Sequence, residues 1–287
     1  MRVHLIDGTF ELFRAHYAPR PPKTVGGVDV KATAGVVASI RALLEDRSEE
    51  VTHLAIAFDN PIESFRNELF PYYKTGDGIA PPLRAQFDLV EEACRAIGVV
   101  VWSMKEWEAD DALATGAARF ASDTVQVRIL TPDKDLGQCL DRDRVVQVDR
   151  IRRKVIDEEA MTARRGIPPA CIPDWLGLVG DTADGIPGLP GFGEKSSAVL
   201  LARWGSIEAI PDRAEDWDVK VAGAPRLAAV LAERRADALL YKKLATLVKD
   251  VPLAESLADL EYEGAPKASF EALCKKLEMT PRWPKLV

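Results

Sequence analysis

Apolar residues in the first half of the chain fall in short runs, most of them stopped by an aspartate. VHLI ends at Asp7, LAIAF ends at Asp59, and VQVRIL passes through Thr131-Pro132 to Asp133. Runs of this length without strict alternation read as strands buried on both faces. The pattern predicts strands at 2–6, 52–58 and 99–102, the strand VQVRIL, and a final run VVQVD at 145–149. Between them the apolar spacing becomes helical, near 8–16, 33–47, 84–97 and 108–121, with a short helix near 134–140. Strands alternating with helices predict an α/β fold, a mostly parallel sheet with helices on both faces.

Past about residue 156 the strand signals fade, apart from a short VKVA run. Helical patterns joined by Gly/Pro turns take over at EEAMTARRG, 170–179, KSSAVLLARW and 224–249, with a tail helix near 267–277. Segments 212–222 and 250–265 read as connectors. The expected organisation is a sheet domain over 1–156, a helical module over 157–250 and a C-terminal tail over 251–287.

Open α/β sheets bind ligands beyond the carboxyl ends of their strands, which is where the aspartates stand. Asp7, Asp59, Asp133 and Asp135 follow strands, while Asp181 and Asp184 lie in the turn GDTADGIPG. Glu108, Asp110 and Asp111 open a helix, whose spacing puts Glu108 and Asp111 on one face with Asp110 beside them. Each acid alone fits a helix cap or a turn. Their recurrence predicts one acidic crevice, and crowded carboxylates call for a hard divalent cation.

The net charge of −7 would argue against a polyanionic partner. With the clustered carboxylates set aside the remaining balance is positive, and nucleic-acid binding depends on local patches. The 287 residues, 47% hydrophobic and 29% charged, have a soluble protein's composition and allow one or two domains. No run is long enough to span a membrane, and the N-terminus does not read as a signal peptide. Cys94, Cys139, Cys171 and Cys274 lack metal spacing and read as reduced thiols of a cytoplasmic protein. His4, His16 and His53 fit no ligand pattern.

Two further segments carry chemistry. In IPGLPGFGEKSSAVLL, Gly191 and Gly193 precede a helix start and let the backbone approach a phosphate, with Lys195 adding charge. The irregular stretch around Arg66, Phe70, Tyr72, Tyr73, Lys74 and Arg84 interleaves aromatics with cations, as a single-strand path does. Phe70 reads there as a core residue.

LIDGTFELFRAHYA, AFDNPIESFRNELFPYYK, EWEADDALA, TPDKDLGQCL and GDTADGIPGLPGFGEKSSA together resemble the bacterial 5′-nuclease family. That family comprises flap endonucleases and the 5′–3′ exonuclease domains of repair polymerases. The resemblance covers roughly residues 3–250, and nothing after it reads as a polymerase, so a stand-alone member is expected. It implies a PIN-like sheet domain, a helical arch near 66–97, and a helix–hairpin–helix (H3TH) module gripping duplex DNA. It implies two ions, Mg2+ or Mn2+, held by Asp7, Asp59, Glu108, Asp110 and Asp111 for the first and Asp135, Asp181 and Asp184 for the second. Asp133 falls between them, and K+ is allowed at the hairpin. Arg66 and Lys74 map onto catalytic arch cations. Tyr73, Arg84, Gly191, Gly193 and Lys195 are expected to touch DNA.

The implied substrates are 5′-flap, nicked or gapped DNA, with an RNA primer as an allowed 5′ strand and a monomer as the working unit. Three positions depart from the family pattern. Asp77 follows the arch lysine where an arginine is common, Pro132 replaces a glycine, and Gly185 replaces an asparagine. A PIN-type ribonuclease would share the metal site without needing the hairpin, and a non-catalytic DNA-binding protein would bind without cutting. A haloacid-dehalogenase phosphatase would need an aspartate where Leu5 stands.

Overall fold

The computed structural model describes residues 1–283. Its strands are β1 (Arg2–Asp7), β2 (Thr24–Val25), β3 (Val28–Asp29), β4 (His53–Asp59), β5 (Val100–Met104), β6 (Gln126–Leu130), β7 (Val145–Asp149) and β8 (Lys154–Ile156). Its helices are α1 (Gly8–Tyr17), α2 (Lys31–Leu44), α3 (Phe65–Leu69), α4 (Pro81–Arg84), α5 (Phe87–Ala96), α6 (Ala109–Phe120), α7 (Glu158–Arg165), α8 (Ile172–Val179), α9 (Glu194–Trp204), α10 (Ala224–Ala245) and α11 (Lys267–Lys276). They divide into two compact units. The first holds Met1–Ser64, Gly76–Thr131 and the described chain from Val248 onward; the second holds Phe65–Thr75 and Pro132–Leu247.

In the first unit four parallel strands lie in the order β5-β4-β1-β6. Leu5 pairs with Ala55 on one side and Ile129 on the other, and Ala57 pairs with Trp102. β1 and β4 are buried over nearly their whole length, so both sheet faces are covered, as their continuous apolar runs require. On one face α6 comes so close that a Cβ at Gly116 would meet Trp102 at 2.9 Å and Leu5 at 3.0 Å. That contact explains a glycine inside a helix. The hairpin β2–β3 was not legible as strands. Gly26 and Gly27, with φ of +57° and +85°, supply the two-residue turn that makes it.

The expected helix at 84–97 is split. Gln86 interrupts it because its buried amide oxygen accepts from Thr33 N at 3.0 Å while its Nε2 donates to Pro82 O. The helical arch expected near 66–97 is likewise divided between the units. α3, Tyr73 and Lys74 belong to the second unit, and α5 packs on α2 in the first. The tail is docked on the first unit as well. Tyr262 OH donates to Ile97 O at 3.0 Å, its N–H to Thr52 O at 3.0 Å, and α11 packs on α5. The last four residues of the expected tail, 284–287, lie outside the described residues.

The second unit is mainly helical around a core that includes Trp175, Leu176, Leu200, Leu231, Tyr241 and Leu244. α8 packs on α9 and α10, and α10 bends at Arg234, whose φ of −118° leaves the helical range. β7 and β8 form an antiparallel hairpin in this unit. Residues 132–156 thus pack with the helical segment that was expected to begin at 157. The 3-10 turn Asp135–Cys139 packs on α8, drawing the strand that follows into the helical unit. VKVA forms no strand. Among the described residues no helix is long and apolar enough to cross a membrane, and the four cysteines are buried thiols.

Candidate functional site

The carboxyl edge of the first unit's sheet gathers its acids through backbone hydrogen bonds. Asp7 caps α1, Oδ1 accepting from Phe10 N at 2.8 Å and Oδ2 from Thr131 Oγ1 at 2.9 Å. Asp59 accepts from Ala109 N at 2.7 Å, which pins the start of α6 to the end of β4. Glu108, the residue before α6, accepts from Ser64 Oγ at 2.7 Å. These three acids are thus brought to one edge by the strand ends that carry them.

Asp111 is different. It is fully buried, with Oδ2 accepting from Glu108 N at 3.0 Å and Oδ1 from Val248 N at 2.9 Å. Its carboxylate closes a capping box and anchors the returning chain, a structural use that its helical position also fits. Asp110 is half-buried in the first turn of α6.

In the second unit three carboxylates converge. Asp135, Asp181 and Asp184 each bring an oxygen within 4.8 Å of the others. Asp135 comes from the 3-10 turn after Pro132, and the other two from the turn GDTADG. That turn is closed by paired backbone hydrogen bonds between Asp181 and Ile186, both 2.8 Å. Asp133 stands beside them, its Oδ1 accepting from Asp135 N at 2.9 Å. Two lysines face the cluster. Lys134 bonds to Asp181 and lies 3.6 Å from Asp135 Oδ1; Lys74 Nζ lies 3.0 Å from Asp184 Oδ1.

The cluster offers the kind of donors that a hard cation takes. Asp135 Oδ1 is buried without a hydrogen-bond partner, and the donors are all carboxylate oxygens. Burial foremost, then the charges of Asp133 and Asp184, raises the Asp135 carboxyl well above its ordinary range. A cation there would reverse both effects. Lys134 is held charged by the acids around it, against the opposing effect of its own burial.

Several expected contacts are placed otherwise. Arg66 is fully buried and donates to Leu244 O at 2.8 Å and Thr246 O at 3.1 Å, so it ties α3 to the end of α10 and presents no cation to solvent. Tyr73 is a core residue at 3% exposure, whereas its neighbour Tyr72 is 80% exposed. Arg84, by contrast, stays exposed at the end of α4, with its guanidinium 3.4 Å from Gly76 O.

The Gly191–Lys195 segment forms a turn leading into α9. Gly191 has φ of +87°, Gly193 precedes α9, and Ser196 Oγ accepts from Gly193 N at 3.1 Å. Lys195 is exposed in the first turn of α9, whose N–H groups lack acceptors within the helix. Arg226 was missed: its guanidinium would lie 3.7 Å from a Cβ at Gly191. Its signal is a lone cation just after the left-handed Gly223 that opens α10. Gln138 was missed too. It is buried, donates to Asp135 O and Ala245 O, and accepts from Leu247 N, bracing the acid-bearing turn.

Two family profiles match the chain. One, described as 5′-3′ exonuclease, N-terminal resolvase-like domain, covers residues 2–166; the other, 5′-3′ exonuclease, C-terminal SAM fold, covers residues 167–268. The chain is 34% identical over 282 residues to DNA polymerase I of Bacillus caldotenax, covering 96% of the chain and 31% of the polymerase. It therefore spans about a third of that relative's length. A 5′-3′ exonuclease of Aquifex aeolicus (strain VF5) is 28% identical over 278 residues, with 96% of this chain and 92% of the relative covered.

Among solved structures, T5 5′-exonuclease with bound divalent zinc superposes with a TM-score of 0.63 at 17% identity, over 97% of this chain and 96% of that one. The catalytic core of Rad2 in complex with DNA substrate gives 0.61 at 15% identity, over 98% and 88%. At such identities the likeness is one of fold.

Proposed function

We propose, since the chain belongs to the 5′–3′ exonuclease family, that it is a structure-specific 5′ nuclease hydrolysing phosphodiesters of DNA at 5′ flaps or 5′ ends. The observation that carries this reading is the trio of Asp135 and Asp181, both buried, and the half-buried Asp184, with two lysines against it. Asp7, Asp59, Glu108 and Asp110 are assigned to one Mg2+ or Mn2+ and the trio to another, with Asp133 assisting. Asp111 contributes by fixing Glu108 and the start of α6. Bound divalent ions supply an activated water and stabilise charge on the phosphodiester oxygens.

The residues of the chain do the rest. Lys74, held at Asp184, offsets negative charge at the cluster, where a phosphate would bring more. The hairpin of Gly191, Gly193 and Lys195, with Arg226 behind it, binds the backbone of duplex DNA without reading bases. A PIN-type ribonuclease is disfavoured, since the second family profile takes in the whole hairpin region. Cleavage of a 5′-labelled double-flap DNA, with Mg2+ and with EDTA, tests the assignment by product length. Release of the flap with Mg2+ alone supports it; binding without cleavage at any Mg2+ or Mn2+ concentration overturns it.

A further inference from the structure

A groove of about 810 Å³ in the second unit is lined by Lys134, Arg152, Arg164, Arg165 and Lys195, with Glu194 as its one lining acid. The excess of cations runs against the charge of the chain, which is −7 overall. Arg152 and Lys134 have partners, Asp149 at 2.9 Å and the acid cluster. Arg164, Arg165 and Lys195 have no carboxylate within ion-pair distance among the described residues.

Arg165 is the most built of the set. It is half-buried, and its guanidinium lies over the Trp175 ring, 4.6 Å from the centroid. The same indole donates Nε1–H to Glu194 O at 3.3 Å, so one tryptophan fixes both Arg165 and the entry to α9. Burial, and then the like charge of Arg164, lowers the Arg165 proton affinity, against the raising charges of Glu194, Asp135 and Asp133. A half-buried cation beside a second one is stabilised by an anion between them.

We infer that this groove seats the sugar-phosphate backbone of one nucleic-acid strand between the hairpin and the acid cluster, with Arg165 clamping a phosphate. Lys195 stands at the hairpin end and Lys134 beside Asp135, so the lining connects the two features that the nuclease reading already uses. Apolar Ile156, Met161 and Val199 suit sugar faces, and the stacked guanidinium is pre-oriented for bidentate contact. The inference rests on the chain being a nucleic-acid enzyme, and its test separates the two.

Binding of double-flap DNA in EDTA, followed by fluorescence anisotropy over a salt series, reads the groove directly. Arg165→Ala should weaken binding roughly tenfold and lower the salt slope by about one. Arg165→Lys should restore the slope but recover the affinity only in part. Methylphosphonates in the duplex strand next to the scissile position should weaken wild type and leave Arg165→Ala unaffected. A variant with wild-type affinity and slope, or losses from protein and DNA changes that simply add, would overturn the groove. Thermal unfolding of Arg165→Ala confirms that the variant compared is folded. Wild type that cleaves flaps while Arg165→Ala behaves as wild type sinks the groove alone. Arg165-dependent DNA binding without Mg2+-dependent cleavage sinks the nuclease reading alone.

Discussion

Lys74 and Asp184 are joined twice, the ammonium lying 3.0 Å from Asp184 Oδ1 and the Lys74 backbone N–H donating to the Asp184 carbonyl at 3.0 Å. The lysine is therefore positioned by the acid turn itself. Lys74→Ala leaves Asp184 with one countercharge fewer, which should lower stability in EDTA by about 1–3 kcal/mol. Excess Mg2+ should narrow the gap, because a bound cation offsets the same carboxylates, while flap cleavage stays low. Differential scanning calorimetry in the two buffers checks this. An equal deficit in both would mean that Lys74 does not act through the acids.

Asp135 sits where its charge is least welcome. Its pKa is raised, so the folded protein holds its proton more tightly than the unfolded chain does. Without a divalent ion, that contribution is present below the ordinary carboxylate range and is lost as pH rises through the raised value. Asp135→Asn should thus be more heat-stable than wild type at pH 7 in EDTA, by about 2–4 °C per kcal/mol regained. The variant should gain little from Mg2+ and should not cleave. Lower stability of Asp135→Asn in EDTA would contradict the electrostatic account.

Arg66 tests the limits of pattern reading. With no exposure and charged hydrogen bonds to two carbonyls, Arg66→Ala should destabilise the protein by about 2–4 kcal/mol. Whatever remains folded at low temperature should cleave at close to the wild-type single-turnover rate. A stable variant with slow chemistry would return Arg66 to the catalytic set.

That residue shows why some features were legible and others were not. The strands and the acids at their ends could be read because uninterrupted apolar runs have few alternatives, and the turn GDTADGIPG carries its own chemistry. Cations and aromatics between Arg66 and Arg84 carry no period, so nothing in their order says that Arg66 and Tyr73 go inward while Tyr72 stays out. Gln86, Gln138 and the bond from Val248 N to Asp111, an acid expected to ligate metal, escaped for a related reason. Each of these side chains bonds to backbone groups, and those partners are fixed only by the tertiary fold.

At the amino end of the first unit's sheet, Glu49 accepts from His4 at 3.1 Å and from Arg128 at 2.9 Å. The His4 bond is the largest influence bringing the Glu49 carboxyl down to about 2, and burial lowers His4 in turn. Both folded pKa values lie below their unfolded ones, so the stability they add is present above about 6.5 for His4 and about 4.3 for Glu49. It is lost as pH falls, through the lowered His4 value and then toward about 2 for Glu49. Urea midpoints between about pH 4.3 and 2, where the Glu49 contribution is lost, should fall more steeply for wild type than for Glu49→Gln. Parallel curves would remove the pair from the acid response.

Gly185 stands where the 5′-nuclease pattern has asparagine, and the geometry gives a reason. Its φ is +73°, and a Cβ there would approach the Tyr72 carbonyl oxygen to 2.3 Å. Asparagine tolerates the left-handed backbone, but no side chain tolerates that contact with a main-chain atom. Gly185→Asn must therefore push the Tyr72–Lys74 segment away from the acid turn. Since Lys74 takes its position from Asp184, the displacement should loosen the 3.0 Å ion pair as well as strain the turn. The expected loss is about 1–3 kcal/mol, together with slower Mg2+-dependent flap cleavage that added Mg2+ does not restore. Gly185→Ala should be at least as harmful, because alanine adds the same Cβ without asparagine's tolerance of positive φ. If both variants keep wild-type stability and turnover, the close packing of Tyr72 on this turn does not set the position of Lys74.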